Sequence, residues 1–178
     1  MRFFDKIIFL TLLLSVSCKG ITDDLNPSGE NRSSSSVGAK VTASLSSLSL
    51  NNTNGDLINP ISLMKSGQKK AIVFYFTMWC PVCNSHTDSL INIIPRYNQV
   101  DFYVIDYISS NYNESFRNQR DNGYGSSPFQ VLVDNDLVLS RIVDGTMAST
   151  VVIRQDETIL MNEDYKTGEK LKEVLDQL

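Results

Sequence analysis

Two cysteines, Cys80 and Cys83, lie three residues apart in "YFTMWCPVCNSHTDSL", residues 75–90, and could exchange electrons or hold a soft metal. A zinc site needs about four ligands, commonly from two such pairs. This chain has one C-x-x-C and a single histidine, His86, so no metal ligand set is expected. A purely structural disulfide across so short a loop removes little chain entropy. Redox exchange fits the setting better. Ala71 to Phe76 is a continuous apolar run of strand character, and Pro81 stands where a first-turn proline is tolerated, so Cys80 falls at a strand-to-helix junction. Unpaired N–H groups and the macrodipole at such a helix start favour thiolate over thiol, which makes Cys80 the nucleophile. Cys83, one turn further on, is placed to resolve the mixed disulfide. Pro81 and Val82 between them bring neither charge nor a side-chain donor. His86, one turn beyond Cys83, could accept its proton; the plainer reading, which we favour, is a solvent-exposed polar residue on a surface helix.

The elements that must position these residues are legible in outline. "VTASLSSLSLNNTNGDLINPISL" predicts a strand over the alternating Leu45, Leu48 and Leu50, a turn at Asn54-Gly55 and a second strand or edge segment. Ala71 to Phe76 predicts an inner strand buried on both faces. Val82, Leu90, Ile93 and Ile94 predict a helix that Pro95 kinks or ends. "VDFYVIDY" predicts a strand, and "NYNESFRNQRDNGYG" a helix anchored by Phe116 and closed by Gly123. "PFQVLVD" and "NDLVLSRIV" flank "DND", and "STVVIR" and "TILMNEDY" flank "QDE", as two strand-turn-strand units. "GEKLKEVLDQL" predicts a last helix with Leu171, Val174, Leu175 and Leu178 on one face. The sum is an α/β domain with a mixed sheet.

The chain has 178 residues, 42% hydrophobic and 20% charged, which suits one soluble domain plus a tail. A net charge of -4 without a basic face argues against a nucleic-acid partner. Residues 1–18 read as a signal peptide: Arg2 and Lys6, then "IIFLTLLLSV", then Ser17 and Cys18. The apolar run is shorter than the roughly 20 residues that span a bilayer. "LSVSC" resembles the lipobox of bacterial lipoproteins, although Ser15 stands where a leucine is usual; the resemblance implies a lipid anchor on Cys18 and a place in the cell envelope, at a membrane facing the periplasm or exterior. Residues 19–40, rich in Ser, Asn and Gly, read as a flexible tether, and 41–178 as the folded domain.

"FYFTMWCPVC" resembles the active-site stretch of the thioredoxin superfamily, and the element order resembles its TlpA/ResA-like branch of exported thiol/disulfide oxidoreductases. The resemblance implies a thioredoxin-like fold, a central mixed β-sheet flanked by helices, with an N-terminal β-hairpin and a central insertion at "FRNQRDNGYGSSPFQVLVDNDLVLSRI". It implies protein thiols or disulfides as substrates, no cofactor, a monomer, and Trp79, Pro81, Val82, Met147 and Ala148 around the sulfurs. It leans towards a reductant or isomerase-like role. Two positions depart from the pattern: Phe74 stands where many thioredoxins have a buried acid, and Met147 or Ala148 where the family has a cis-proline. A cis bond at a non-proline residue costs about 2.5–4 kcal/mol, so a trans loop is expected. The alternatives are a peroxiredoxin-like thiol peroxidase, since Thr77 precedes Cys80 as in T-x-x-C, and a copper(I)-binding lipoprotein using Cys80, Cys83 and His86.

Overall fold

The computed structural model describes residues 36–178. The leader, Cys18 and most of the tether lie outside the described residues. Ordered pairing begins before the domain boundary read from the sequence: Gly38 N–H donates to the Ile159 carbonyl, and Ile159 N–H to the Ala39 carbonyl.

Seven strands form one mixed sheet. In chain order they are β1 (Leu50–Asn52), β2 (Leu57–Ile58), β3 (Ala71–Thr77), β4 (Val100–Asp106), β5 (Gln130–Val133), β6 (Ser149–Arg154) and β7 (Ile159–Asp164). Their order across the sheet is β2-β1-β5-β4-β3-β6-β7. β3 runs parallel to β4 and antiparallel to β6, so it has a neighbour on each side. All seven of its residues are buried. Ala71, Val73 and Tyr75 enter one core with Leu90, Ile93, Leu171 and Leu175, whereas Ile72, Phe74 and Phe76 enter the opposite core with Leu45, Ile61, Met64 and Leu139. The period-two geometry of a strand and helices on both sides explain its unbroken apolar sequence.

Among the described residues six α-helices flank the sheet: α1 (Ala43–Ser46), α2 (Pro60–Ser66), α3 (Pro81–Ile93), α4 (Tyr112–Asp121), α5 (Val138–Val143) and α6 (Glu169–Leu175). α3 passes into a 3-10 turn at Ile94–Arg96, where Pro95 ends it.

Four local expectations change. In place of a strand from Leu45, Ala43–Ser46 is a helical turn capped by the Thr42 hydroxyl, which accepts Leu45 N–H, and the hairpin is left to β1 and β2. After Asn59, whose side chain accepts Ser62 N–H, Pro60 begins α2 instead of continuing a strand. "VLSRIV" is α5, not a strand. The buried Asp134 carboxylate accepts the N–H groups of Leu139 and Ser140, and Leu137 turns the chain at φ 54. Phe116 is no anchor either: it is 45% exposed. Gln119 does that work, with Nε2 donating to the Tyr124 carbonyl and Oε1 accepting from the Thr53 hydroxyl.

Candidate active site

β3 ends at Thr77 and the chain turns through Met78 and Trp79 into α3. Cys80 is the N-cap of that helix. Its backbone is extended, and its Sγ accepts the Cys83 N–H at 3.2 Å, the role a serine or aspartate oxygen plays in most caps. The two sulfurs lie 2.7 Å apart. Cys80 is half-buried and Cys83 fully buried, so a partner reaches the first sulfur only, and the second must act from behind. Burial, with the hydrogen bond to Cys80 next, pushes the Cys83 thiol above its ordinary pKa.

The surround is apolar and sulfur-rich. Met78 and Val82 are 40% and 41% exposed, and Pro81 is exposed beside them. Met147 Sδ accepts from Cys80 Sγ at 3.7 Å. The loop that carries Met147 has no cis bond, and no cis peptide occurs among the described residues. Instead the chain turns at Ala148, φ 66, with its N–H on the Phe76 carbonyl and its carbonyl on Tyr165 N–H. Both backbone groups of Ala148 are therefore spent inside the fold, and its side chain is buried in the core that α3 covers. Gly145 lets this loop close, because a Cβ there would collide with the Phe76 ring.

Trp79, half-buried at φ 56, is held at both ends: its N–H donates to the Thr77 hydroxyl at 3.0 Å, and Nε1 donates to Asp106 at 2.7 Å. Asp106 ends β4 and is fully buried, and it also accepts the Ser109 hydroxyl and the N–H groups of Ile108 and Ser109. Tyr124, from the central segment, stacks on Trp79 with ring centroids 6.4 Å apart, and its hydroxyl lies 3.0 Å from both the Asn84 carbonyl and Asp88. Asp106 and Tyr124 carry no motif signal, since what makes them part of the site is a fold contact to distant residues.

His86 differs from the exposed residue expected. It is half-buried, with Nδ1 3.1 Å from the Tyr75 hydroxyl and its ring 4.8 Å from that of Tyr165. Burial lowers its pKa below the ordinary value. Tyr75, 1% exposed, also points its hydroxyl at the Cys83 carbonyl, 3.5 Å away. Phe74, at the position compared with the buried acid, faces the opposite core. Among the described residues no group of three or more His, Cys, Asp or Glu could hold a metal ion.

No family description and no curated protein matches the chain. Solved structures do. MTB DsbF, in mixed oxidised and reduced forms, is 16% identical with a TM-score of 0.63, over 77% of this chain and 98% of that one. A secreted Mycobacterium tuberculosis disulfide oxidoreductase homologous to E. coli DsbE is 20% identical with a TM-score of 0.60, over 77% of this chain and all of that one. Xylella fastidiosa PrxQ is 21% identical with a TM-score of 0.56, over 79% and 93%. The described residues thus have the thioredoxin-like fold, with the cysteine pair at the start of α3.

Proposed function

We propose that this thioredoxin-fold chain is an extracytoplasmic thiol/disulfide oxidoreductase that exchanges a Cys80–Cys83 disulfide with partner proteins. The observation that carries the reading is the sulfur pair itself, 2.7 Å apart, one sulfur reachable and the other buried behind it at a helix start. In the reducing direction the Cys80 thiolate attacks a partner disulfide. A Cys80–partner bond forms, the partner's S–S bond breaks, and one partner sulfur leaves as thiolate. Cys83 then loses its proton and attacks Cys80 Sγ, which closes the intramolecular disulfide and releases the second partner thiolate. Two electrons pass to the partner, and the reverse sequence passes them back. The apolar rim of Met78, Pro81 and Val82 suits a protein surface as substrate. Because Ala148 has no free backbone edge, docking relies on that rim more than on strand-like pairing.

The leader supports export and Cys18 a lipid anchor, and both lie outside the described residues; none of the described helices is long and apolar enough to cross a membrane. One experiment addresses activity and location together. Cells producing the Cys83→Ser chain are expected to accumulate disulfide-linked partners on Cys80 in the membrane fraction, and adding Cys18→Ser should move those adducts to the soluble fraction. A folded variant that traps nothing would count against exchange, and rapid peroxide consumption with Cys80 oxidised to the sulfenic acid would assign the site to a thiol peroxidase.

A further inference from the structure

Exchange through this site needs a destination for the Cys83 proton, and Cys83 is fully buried. The fully buried carboxylate at the end of β4, Asp106, already accepts from Trp79 Nε1, the Ser109 hydroxyl and two backbone N–H groups. Phe74 offers nothing and faces the opposite core. The next residue of β3, Tyr75, turns to the core that α3 covers. Its hydroxyl is the polar tip of an otherwise apolar strand interior, 3.5 Å from the Cys83 carbonyl, 3.1 Å from His86 Nδ1 and within hydrogen-bonding reach of the Cys83 side chain.

We infer that Tyr75 and His86 form a proton relay for Cys83, in which the Tyr75 hydroxyl receives the thiol proton as its own proton passes to His86 Nδ1. The inference rests on the exchange reading and adds two residues to it. In the resting state of the relay the one Tyr75 O–H proton lies towards the neutral ring, whose Nδ1 at 3.1 Å is nearer than the Cys83 carbonyl at 3.5 Å. As Cys83 attacks, its S–H bond breaks and the sulfur electron pair forms the bond to Cys80 Sγ. The Cys80–partner bond breaks, and its electron pair leaves on the partner thiolate. The proton crosses Tyr75 to Nδ1, and the half-exposed imidazolium returns it to water.

The groups facing His86 fit this role. Tyr75 reaches it from β3, and Tyr165, from the segment after β7, packs on its ring with its hydroxyl donating to Ser89 at 2.7 Å. Behind Tyr165 lie Glu169 and Lys172 of α6, paired with each other, and Cys83 is one turn back on the same helix. Burial keeps His86 neutral and Tyr75 protonated at neutral pH, the two states a relay needs at its start.

The test uses the reduced full chain carrying Cys18→Ser, so that Cys80 and Cys83 are its two thiols, and 5,5′-dithiobis(2-nitrobenzoate) in a stopped-flow cell. Attack by Cys80 releases the first thionitrobenzoate and attack by Cys83 on the mixed disulfide releases the second, in a phase independent of reagent concentration. Tyr75→Phe, which keeps the ring, and His86→Gln are each expected to slow the second phase about tenfold or more near about pH 6.5, far more than the first. The double variant should be no slower than either single one. The deficit should shrink as pH rises through the raised Cys83 pKa, where hydroxide removes the proton directly. A second phase with wild-type rate and pH profile in both variants overturns the relay, as does a deficit of equal size at every pH, which marks a structural effect. Should Tyr75→Phe fail to fold, His86→Gln carries the same comparison. A wild-type chain that releases only the first thionitrobenzoate has no resolving step, and the exchange reading fails with the relay.

Discussion

Trp79 holds a backbone conformation that costs a non-glycine residue roughly 1–2 kcal/mol, and the side chains around it offset that cost. Thr77 takes its N–H and Asp106 its indole, so the ring is fixed against the first turn of α3 before any partner arrives. Asp106→Ala would leave the indole N–H, the Ser109 hydroxyl and two backbone donors without their acceptor. We expect a loss on the order of 3 kcal/mol in denaturant unfolding and a red shift in the emission of the single tryptophan as its ring meets water. An unchanged midpoint and spectrum would show that the carboxylate does not hold the ring. Nothing near Asp106 in the sequence suggests this role, because its indole partner lies 27 residues away. Tyr75 is similar: within an apolar run its hydroxyl has meaning only once α3 is laid against it.

Elements were legible where one signal acted alone. β3 and α3 follow from an apolar run, a proline at the first helical position and a second proline at the end. α5 was misread because "NDLVLSRIV" satisfies a strand as well as a short helix, and the arbiter is Asp134, whose carboxylate takes the Leu139 and Ser140 N–H groups only after β5 has positioned it. Leu45 and Leu50 are both buried in one core although five residues apart, a spacing that would place them on opposite faces of a strand and that a helical turn followed by a strand satisfies. The loop between α5 and β6 also eluded the sequence, where the missing proline drew attention and Gly145 did not. Gly145→Ala should destabilise the fold by about 1–3 kcal/mol in thermal unfolding, since the new methyl group meets the Phe76 ring. It should also shift Met147 away from Cys80. A variant of wild-type stability would mean that the loop has room the close approach denies.

At the scale of the whole molecule, a sheet with a core on each face carries its reactive pair at the end of an inner strand, so the chemistry and the stability of the domain are linked through Cys83. Its folded pKa is raised by burial, and the unfolded thiol ionises first as pH increases. The reduced protein should therefore keep its full stability below the ordinary thiol pKa and lose part of it as pH climbs through the folded value. Urea midpoints of the reduced protein measured across that range, with Cys83→Ser as reference for the buried tyrosines that titrate in the same direction, would reveal a steeper fall in the first than in the second; parallel curves would contradict the linkage. The strand order has a further consequence, for self-association. A sheet is open at its two outermost strands, and an open edge invites the strand of another molecule. Here one edge is β2, only two residues long. The other is β7, which pairs with β6 through a register shift beside Val152 and Ile153, has its first residue, Ile159, already bonded to Gly38 and Ala39, and carries Glu163 and Asp164 at its far end. Shortness at one side and irregularity with charge at the other make both edges poor templates, so under the proposed exchange the domain would offer a protein substrate a sulfur without offering a growing sheet.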